Sequence, residues 1–444
     1  MNPVLQQYPL SNVLSLKSLF SLLLVFYFAI QPWNHQLADA TWLLLSLFSL
    51  VYVATYKLKG LDFNTPKELK TIFWLFSLMP LVSIISYIAS PLDTLTPKML
   101  EAETRWLLVI PMIIALRELK MGPYWVLTML IAYTLSTFTS AFIETQYLSN
   151  LRIRANGDEN AVSYGMFNAT IALLLLSFFV SGFIKHKTFK HRLTIIRVAV
   201  FIVFTLACLA TFLSGSRAAI ILTPIGVFII YAINYSKTKA ALGIIILLSI
   251  GTLLTATQPN SAFVQKLLTA PEKASNYFIK HDRKSRLQSP RLEQWAESWC
   301  IYKKHPITGT GPRSFKQAHQ EYGDEHHCNA IQELRQGAYQ AHSLYFNTLA
   351  TLGSLGLIAL IFIFAQLIKV AFITLKNKDT SKTAILGALL LVSVIISHLI
   401  NGLTLDLLFR NHIIDKFLIV IGLPIILIFY KQTEKDQHPD ADKP

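Results

Sequence analysis

A few polar side chains in this mostly apolar sequence are of the types that move protons or bind phosphate. His342 lies in YQAHSLYFNTL, residues 339–349, where a polar stretch turns into an apolar one. An imidazole titrates close to neutral pH, so His342 is suited to act as a general base. A single histidine at a helix start is also commonly a packed structural residue, and both interpretations stand on this residue alone.

Two arginines have surroundings that suit an anionic ligand. Arg217, in SGSRAAI, lies where two apolar segments meet, and Arg291, in SPRLEQW, opens a predicted helix. A guanidinium fork binds phosphate oxygens in pairs, and a helix N-terminus favours negative charge. The alternatives are an interfacial arginine that snorkels at the first position and one basic residue among many at the second.

Two further stretches contain residue types that bind ligands in other proteins. In KKHPITGTGPRSF, Gly309 and Gly311 allow close backbone approach, but the Walker spacing is absent, so we interpret the stretch as a structural turn and exclude nucleotide binding. GDEHHCN, residues 323–329, places acidic residues and histidines side by side, where they point in different directions. We therefore predict a solvated loop there and no metal site.

The composition is that of a membrane protein. Of 444 residues, 53% are hydrophobic and 15% are charged, and the apolar residues form blocks of about twenty, long enough to cross a bilayer as helices. We predict an all-α polytopic membrane protein with about twelve transmembrane helices. The formal charge is +15, but the basic residues fall in loops, which indicates topology signals and contacts with membrane lipids, not nucleic acid.

The loops also predict the orientation of the chain. Basic loops alternate with loops poor in Lys and Arg, which places both termini in the cytoplasm. Residues 1–256 then hold nine spans, 257–341 form a large periplasmic loop, 342–430 hold three more spans, and 431–444 form a cytoplasmic tail. The predicted spans are 15–33, 40–56, 71–90, 105–117, 122–142, 162–183, 196–214, 218–235, 240–256, 343–367, 383–403 and 412–430.

The large loop is predicted to fold and to pack on the membrane helices. RLEQWAESWCIYKK has Leu292, Trp295, Trp299 and Tyr302 near helical spacing, which predicts an amphipathic helix. Cys300 and Cys328 both lie in this loop, where an oxidising periplasm would allow them to form a disulfide, although sequence leaves open whether the two sulfurs meet. Cys208 lies inside a predicted span and is interpreted as an apolar residue.

Three stretches together resemble the O-antigen ligase and polymerase superfamily of bacterial inner membranes. They are SGSRAAI, RLEQWAESWCIYKKHPITGTGPRSF and AHSLYFNTLATLGSLGLIALIF. The family pattern has an arginine at a span end, an arginine followed by tryptophan four residues later and an HP…GxG…F stretch. It also has a histidine followed by Asn or Ser, and a glycine-containing helix. In this chain these are Arg217, Arg291 with Trp295, His305 to Phe315, His342-Ser343, and Gly353 with Gly356.

The resemblance implies a membrane glycosyltransferase, type C-like in fold, that works without a cofactor or metal. Such an enzyme transfers a preassembled glycan from undecaprenyl diphosphate to a sugar hydroxyl of lipid A–core at the periplasmic face, inverting the anomeric centre. His342 would then be the general base, and Arg217 with Arg291 would bind the diphosphate. Many relatives have Asn after this histidine, where the chain has Ser343, so no role is carried over to that residue.

Other residues and other functions stay open. Arg105, Arg154, Trp295 and His305 are interpreted as residues that line the periplasmic cavity, with interfacial anchoring or surface charge as the alternative for the two arginines. Within the superfamily, an O-antigen polymerase or a protein O-glycosylating transferase would share the chemistry and differ in the acceptor. A transporter with twelve spans is the alternative from another class, but the sequence shows neither internal repeats nor mid-membrane interruptions.

Overall fold

The structure is a computed structural model, and in the part of the chain that it describes all regular elements are helices. It describes residues 10–60, 63–146, 160–181, 190–234, 290–322, 340–406 and 411–430, together with residues 155, 157, 183, 272 and 275. Thirteen α-helices have both ends in these ranges, along with one 3-10 helix at Pro97–Leu100. The prediction of an all-α fold is confirmed.

The helices are numbered here in chain order. They are α1 (Leu10–Ile30), α2 (His35–Leu58), α3 (Lys67–Ile88), α4 (Glu101–Glu118), α5 (Pro123–Gln146), α6 (Ala161–Val180), α7 (Lys190–Leu213), α8 (Arg217–Asn234), α9 (Pro290–Lys304), α10 (Phe315–Tyr322), α11 (Leu344–Lys376), α12 (Lys382–Asn401) and α13 (Asn411–Ile428).

Nine of the described helices are long and apolar enough to cross a membrane, namely α2, α3, α5 to α8 and α11 to α13. The apolar part of α1 is shorter, and α4 carries several charged residues. Each of these helices overlaps one of the predicted spans, and the remaining predicted span, 240–256, lies outside the described residues. The chain is a multi-pass membrane protein.

Polar residues cap several of the membrane helices where they begin. The side chain of Asn34 accepts a hydrogen bond from Leu37 N at 2.9 Å, and Asn160 accepts from Ser163 N at 2.9 Å. Such caps satisfy backbone donors that have no partner inside the helix. They stop the apolar segments at defined residues and so fix which side chains lie at the ends of the bundle.

Helices α6 and α13 occupy the centre of the bundle, since nearly all of their residues are buried. Hydroxyl groups join α6 to α12, where Ser177 Oγ lies 2.8 Å from Ser393 Oγ and Thr170 hydrogen-bonds to Ser397. Between membrane helices, where apolar contact with a neighbour gains little over contact with lipid, such bonds and small side chains hold helices together.

The described part of the predicted large loop contains two helices joined by an irregular segment, and it packs on α11 and α3. The amphipathic helix is present as α9, and the buried Glu297 pairs with the buried His319 to join α9 to α10. The buried face of α9 includes Glu297 and Ile301, whereas Trp299 is 47% exposed, so the predicted aromatic face is not the fully buried one. Most of 257–341 and all of 431–444 lie outside the described residues, and those boundaries stay predictions.

Candidate active site

His342 lies on a turn that is fixed to the end of α12. Its φ is 49°, a left-handed value that non-glycine residues adopt rarely and that histidine adopts more readily than most. Directly after it, Leu344 N donates to Gly402 O at 2.8 Å, and Ser343 Oγ donates to the same carbonyl at 3.1 Å. The imidazole is half-buried, and its Nδ1 lies 3.3 Å from Gln340 Nε2.

Trp295 of α9 holds the residue that precedes His342. Its Nε1–H donates to Ala341 O at 3.1 Å, and its ring stacks on Phe346 with the centroids 5.4 Å apart. Arg291 lies one helical turn earlier in α9 and is half-buried. The structure therefore brings the predicted Arg291–Trp295 pair next to the start of α11, as a helix packed across the segment that carries His342.

Arg217 is the first residue of α8 and is exposed. The preceding turn is packed tightly, because a Cβ added at Gly165 of α6 would lie 2.1 Å from Ser214 Oγ. Since α6 begins beside this turn and bonds to α12 through Thr170 and Ser397, it links the start of α8 to the end of α12. Helix α12 ends where α11 begins, so Arg217 and the histidine lie at the same end of the bundle.

Helix α11 is broken at Gly353, two to three turns after the histidine. Gly353 has φ 64° and ψ −160°, a region that is essentially restricted to glycine. In an unbroken helix Ser354 N would donate to Ala350 O, and Leu355 N would donate to Thr351 O. The break leaves these two donors and two acceptors without partners inside the helix.

Residues 306–311, here called the inserted loop, supply the four missing partners. The bonds are Ser354 N to Pro306 O at 2.8 Å, Leu355 N to Ile307 O at 3.2 Å, Thr310 N to Ala350 O at 3.1 Å and Gly311 N to Thr351 O at 2.8 Å. The approach requires glycine on both sides. A Cβ at Gly353 would lie 2.3 Å from Ile307 O, and one at Gly309 would lie 2.4 Å from the carbonyl carbon of Thr351.

Helix α3 clamps the inserted loop from the other side. Ser86 Oγ donates to Thr308 O at 2.5 Å, and Ser90 Oγ donates to Thr310 O at 2.6 Å. The interpretation of the GTG stretch as a structural turn is therefore confirmed. Its glycines permit one backbone to approach another.

A narrow polar pocket lies between α4, the residues that follow the inserted loop and the first turns of α11. Its polar lining comprises Glu103, Arg313, Asn347, Thr348 and Thr351. Glu103 is 3% exposed, and burial lowers the pKa of Arg313 while the nearby Glu103 opposes that shift. Glu103 and Arg313 are not among the site residues predicted from the sequence. The available signal was a pair of acidic residues in the first turn of α4, at the edge of a predicted span.

The other predicted lining residues have different surroundings. Arg105 is 4% exposed and forms an ion pair with Asp415, which is fully buried, and its guanidinium lies 5.3 Å from the ring of Trp42. His305 ends the turn after α9 and packs against Tyr322, with ring centroids 5.2 Å apart. Burial, and then the charge of Lys304, lower the pKa of His305. Its imidazole is therefore neutral at pH 7.

Several sequence predictions concern residues for which the structure gives only part of the answer. Cys208 is free and Cys300 is disulfide-bonded, but Cys328 lies outside the described residues, so the predicted pairing stays a prediction. Arg154 and the stretch 323–329 also lie outside them. In the ranges that the structure does describe, no three potential metal-ligating His, Cys, Asp or Glu side chains are grouped.

One comparison with known proteins matches the part of the chain that contains these residues. Residues 201–363 match the family model described as O-antigen ligase, a range that contains Arg217, Arg291 and His342. No curated protein matches the chain significantly. The match supports an activity of the O-antigen ligase or polymerase type. Members of this family are enzymes that resemble glycosyltransferases. This part of the chain, residues 201–363, is similar to the O-antigen ligase family.

Proposed function

We propose that this protein is an O-antigen ligase of the bacterial inner membrane. It transfers a preassembled glycan from undecaprenyl diphosphate to a sugar hydroxyl of lipid A–core, at the periplasmic face. The observation that carries the proposal is the junction at the start of α11, where Trp295 binds the residue before His342 and brings the Arg291 turn of α9 beside it. The family match spans this junction.

His342 is assigned the role of general base. A sugar hydroxyl is a weak nucleophile until its proton is removed, and an imidazole accepts that proton near neutral pH. Hydrogen bonds from Leu344 N and Ser343 Oγ to α12 fix the backbone that follows the imidazole. A base must be held in place in this way, because small displacements of reacting groups reduce the rate strongly.

Arg217 and Arg291 are assigned to the diphosphate. Negative charge grows on the leaving group as the anomeric bond breaks, so cationic groups aimed at it stabilise the transition state more than the ground state. Guanidinium groups stay charged throughout the range in which a periplasmic enzyme works. Both arginines begin helices or lie in their first turn, where the helix dipole adds to the attraction for phosphate.

The reaction then needs one base and no general acid. The acceptor oxygen attacks the anomeric carbon, the bond from that carbon to the diphosphate oxygen breaks, and the configuration inverts. The hydroxyl proton passes to His342, and the undecaprenyl diphosphate leaves with its electron pair. The carboxylate pair used by glycosidases is not required, because a diphosphate leaves without prior protonation.

The test is transfer in vitro with purified lipid-linked glycan and rough lipopolysaccharide. His342→Ala is expected to lower transfer by about 10²- to 10⁴-fold, the usual contribution of a general base, while donor binding is retained. Arg217→Ala and Arg291→Ala should instead weaken donor binding or turnover. His35→Ala is the matched control, since His35 is also half-buried at the start of a helix at this end of the bundle.

Two results would contradict the proposal in different ways. Near wild-type transfer by His342→Ala would refute the general base. A strain that lacks the protein separates ligase from polymerase, because loss of a ligase leaves long polymer on the lipid carrier. Loss of a polymerase instead leaves core with a single repeat unit. The second pattern would reassign the acceptor without changing the chemistry.

A further inference from the structure

The pocket beside the inserted loop contains a buried hydrogen-bond acceptor and a buried donor that are not hydrogen-bonded to each other. Glu103 Oε2 and Arg313 Nε are both buried, and neither has a hydrogen-bond partner. The two groups interact electrostatically, yet the other end of the Arg313 guanidinium is held elsewhere, by Asn411 Oδ1 at 2.5 Å. Unsatisfied buried groups of this kind are rare in native proteins and call for a ligand or a water.

The chemistry of the two groups limits what can occupy the pocket. A phosphate or carboxylate offers only acceptors and has no hydrogen to donate to Glu103, whereas an ammonium offers only donors and would be repelled by Arg313. A hydroxyl offers both, since its hydrogen donates to Glu103 and its oxygen accepts from Arg313. The pocket has space for about one water molecule, which is the size of one hydroxyl and not of a sugar ring.

The pocket lies next to the candidate base. Asn347, which lines it, is one turn into α11, and its Oδ1 accepts a long hydrogen bond of 3.4 Å from Ala341 N. Because Ala341 directly precedes His342, the chain folds back over this turn of the helix. The α11 residues that line the pocket, from Asn347 to Leu352, lie about 4–12 Å along the axis from the start of the helix, which follows the histidine.

We infer that Glu103 and Arg313 bind one hydroxyl group of a substrate glycan and thereby position that glycan for reaction at His342. The inference rests on the proposed function, since it concerns the substrate of that same site. A hydroxyl from the acceptor sugar and one from the donor glycan would satisfy the pocket equally. Glu103 and Arg313 are positioning residues in this scheme, because the proton and the leaving group are handled by other side chains.

The experiment measures transfer while acceptor and donor are titrated separately, with Glu103→Gln as the main variant. Gln keeps the size of the side chain but replaces the charged acceptor. Because a hydrogen bond to a neutral amide oxygen is about half as strong as one to a carboxylate, KM for the bound substrate is expected to rise by about 4- to 10-fold. Glu103→Asp keeps the charge and withdraws it by one methylene, so it should give a smaller rise. Glu68→Gln, which changes an exposed carboxylate on α3, serves as the control.

Acceptors that each lack one hydroxyl provide the second readout. Wild-type protein should discriminate against one of these analogues, and Glu103→Gln should discriminate less between that analogue and the full acceptor, because the neutral amide oxygen is a weaker acceptor than the carboxylate. A rise in acceptor KM supports a hydroxyl of the acceptor, and a rise in donor KM alone supports a hydroxyl of the donor glycan.

Two patterns would overturn the inference. If Glu103→Gln leaves both KM values unchanged, or lowers only the thermal stability, Glu103 is structural and the pocket holds only water. If wild-type protein transfers no glycan to any acceptor, the proposed function is wrong, and so is the inference that rests on it. That result is distinct, since it appears before any variant is compared.

Discussion

Replacing Gly353 by alanine tests how the inserted loop is held in the broken helix. A Cβ at this position would lie 2.3 Å from Ile307 O and 2.6 Å from Gly309 N, so the loop and the side chain cannot occupy the same space. The substitution should expel the loop, because the backbone at φ 64° and ψ −160° is also strained for any residue with a Cβ, by about 1–3 kcal/mol.

The magnitude follows from the hydrogen bonds that change. Once the loop has left, α11 can close the two intrahelical bonds that the break had opened, so the helix recovers its own donors and acceptors. The loop does not recover its partners. Pro306 and Ile307 are exposed and their carbonyls can bind water, whereas Thr310 and Gly311 are buried. When the loop leaves, their N–H groups exchange a buried partner for water, at a net loss of about 0.5–1.5 kcal/mol for each hydrogen bond. Together with the backbone strain of about 1–3 kcal/mol at position 353, the total is about 2–6 kcal/mol.

Limited proteolysis measures this loss directly. Trypsin cleaves after Arg313, and cleavage there requires the loop to open because Ser314 is fully buried. When opening is fast compared with cleavage, the rate follows the population of the open form. A loss of about 2–6 kcal/mol should then raise the rate at least about 30-fold, measured in detergent below the temperature of inactivation.

Gly60→Ala is the matched control for backbone strain alone. Gly60 has φ +71°, close to that of Gly353, but a Cβ there would meet nothing within 4 Å. It should cost only about 1–2 kcal/mol and leave cleavage after Arg313 unchanged. If the two variants show the same cleavage rate, the four hydrogen bonds do not hold the loop, and the account of the broken helix is wrong.

Two further predictions concern the support of the site. Trp295→Phe should keep the ring stacking but leave the buried Ala341 carbonyl unpaired, lowering kcat by up to roughly 100-fold through misplacement of the candidate base. The measurement is steady-state transfer, with Trp299→Phe, at a half-exposed position on the same helix, as the control. Equal kcat values for the two variants would refute the positioning role of Trp295. Arg105→Gln should lower the free energy of unfolding by about 3–5 kcal/mol, because Asp415 is left buried without its ion-pair partner. The double variant Arg105→Gln/Asp415→Asn should recover part of the lost stability. If it is no more stable than Arg105→Gln, the ion pair between Arg105 and Asp415 does not stabilise the fold.

The sequence predicted the membrane helices well because their signal is local. A block of apolar residues long enough to cross a bilayer identifies a span wherever its partners lie, and every described span overlaps a predicted one. The polar residues within the spans were harder to interpret. Asp415 and Lys416 stand side by side in the last predicted span, but nothing in the sequence indicates that Asp415 pairs with Arg105, which is 310 residues away.

The candidate site was predictable only where a motif marked it. His342, Arg217 and Arg291 stand in short stretches with a family pattern, and their roles stay predictions that the assays above can test. Glu103 and Arg313 are 210 positions apart in sequence and meet only because the inserted loop docks into α11. The glycines that permit docking were visible in the sequence, but their partner was not. The gap that the loop fills exists only because Gly353 breaks the helix.

The contacts of α9 refine the prediction that the large loop folds and packs on the membrane helices. Trp295 of α9 stacks on Phe346 of α11, and the Tyr302 hydroxyl bonds Ser354 Oγ at 2.9 Å. The residue numbers of the two contacts increase together in both helices, so α9 and α11 run parallel. Helix α9 therefore runs beside the first turns of α11 for about 10 Å, at 1.5 Å per residue.

Because α9 runs parallel to α11, the inserted loop that follows α9 lies further along α11 than the histidine does. Irregular backbone buried between helices requires partners for its polar groups, and α3 and the broken α11 supply them. Arg291, near the start of α9, lies one helical turn before Trp295, whose indole N–H binds Ala341 O. The proposed diphosphate ligand is therefore attached, through one short helix, to the same segment that carries the proposed base.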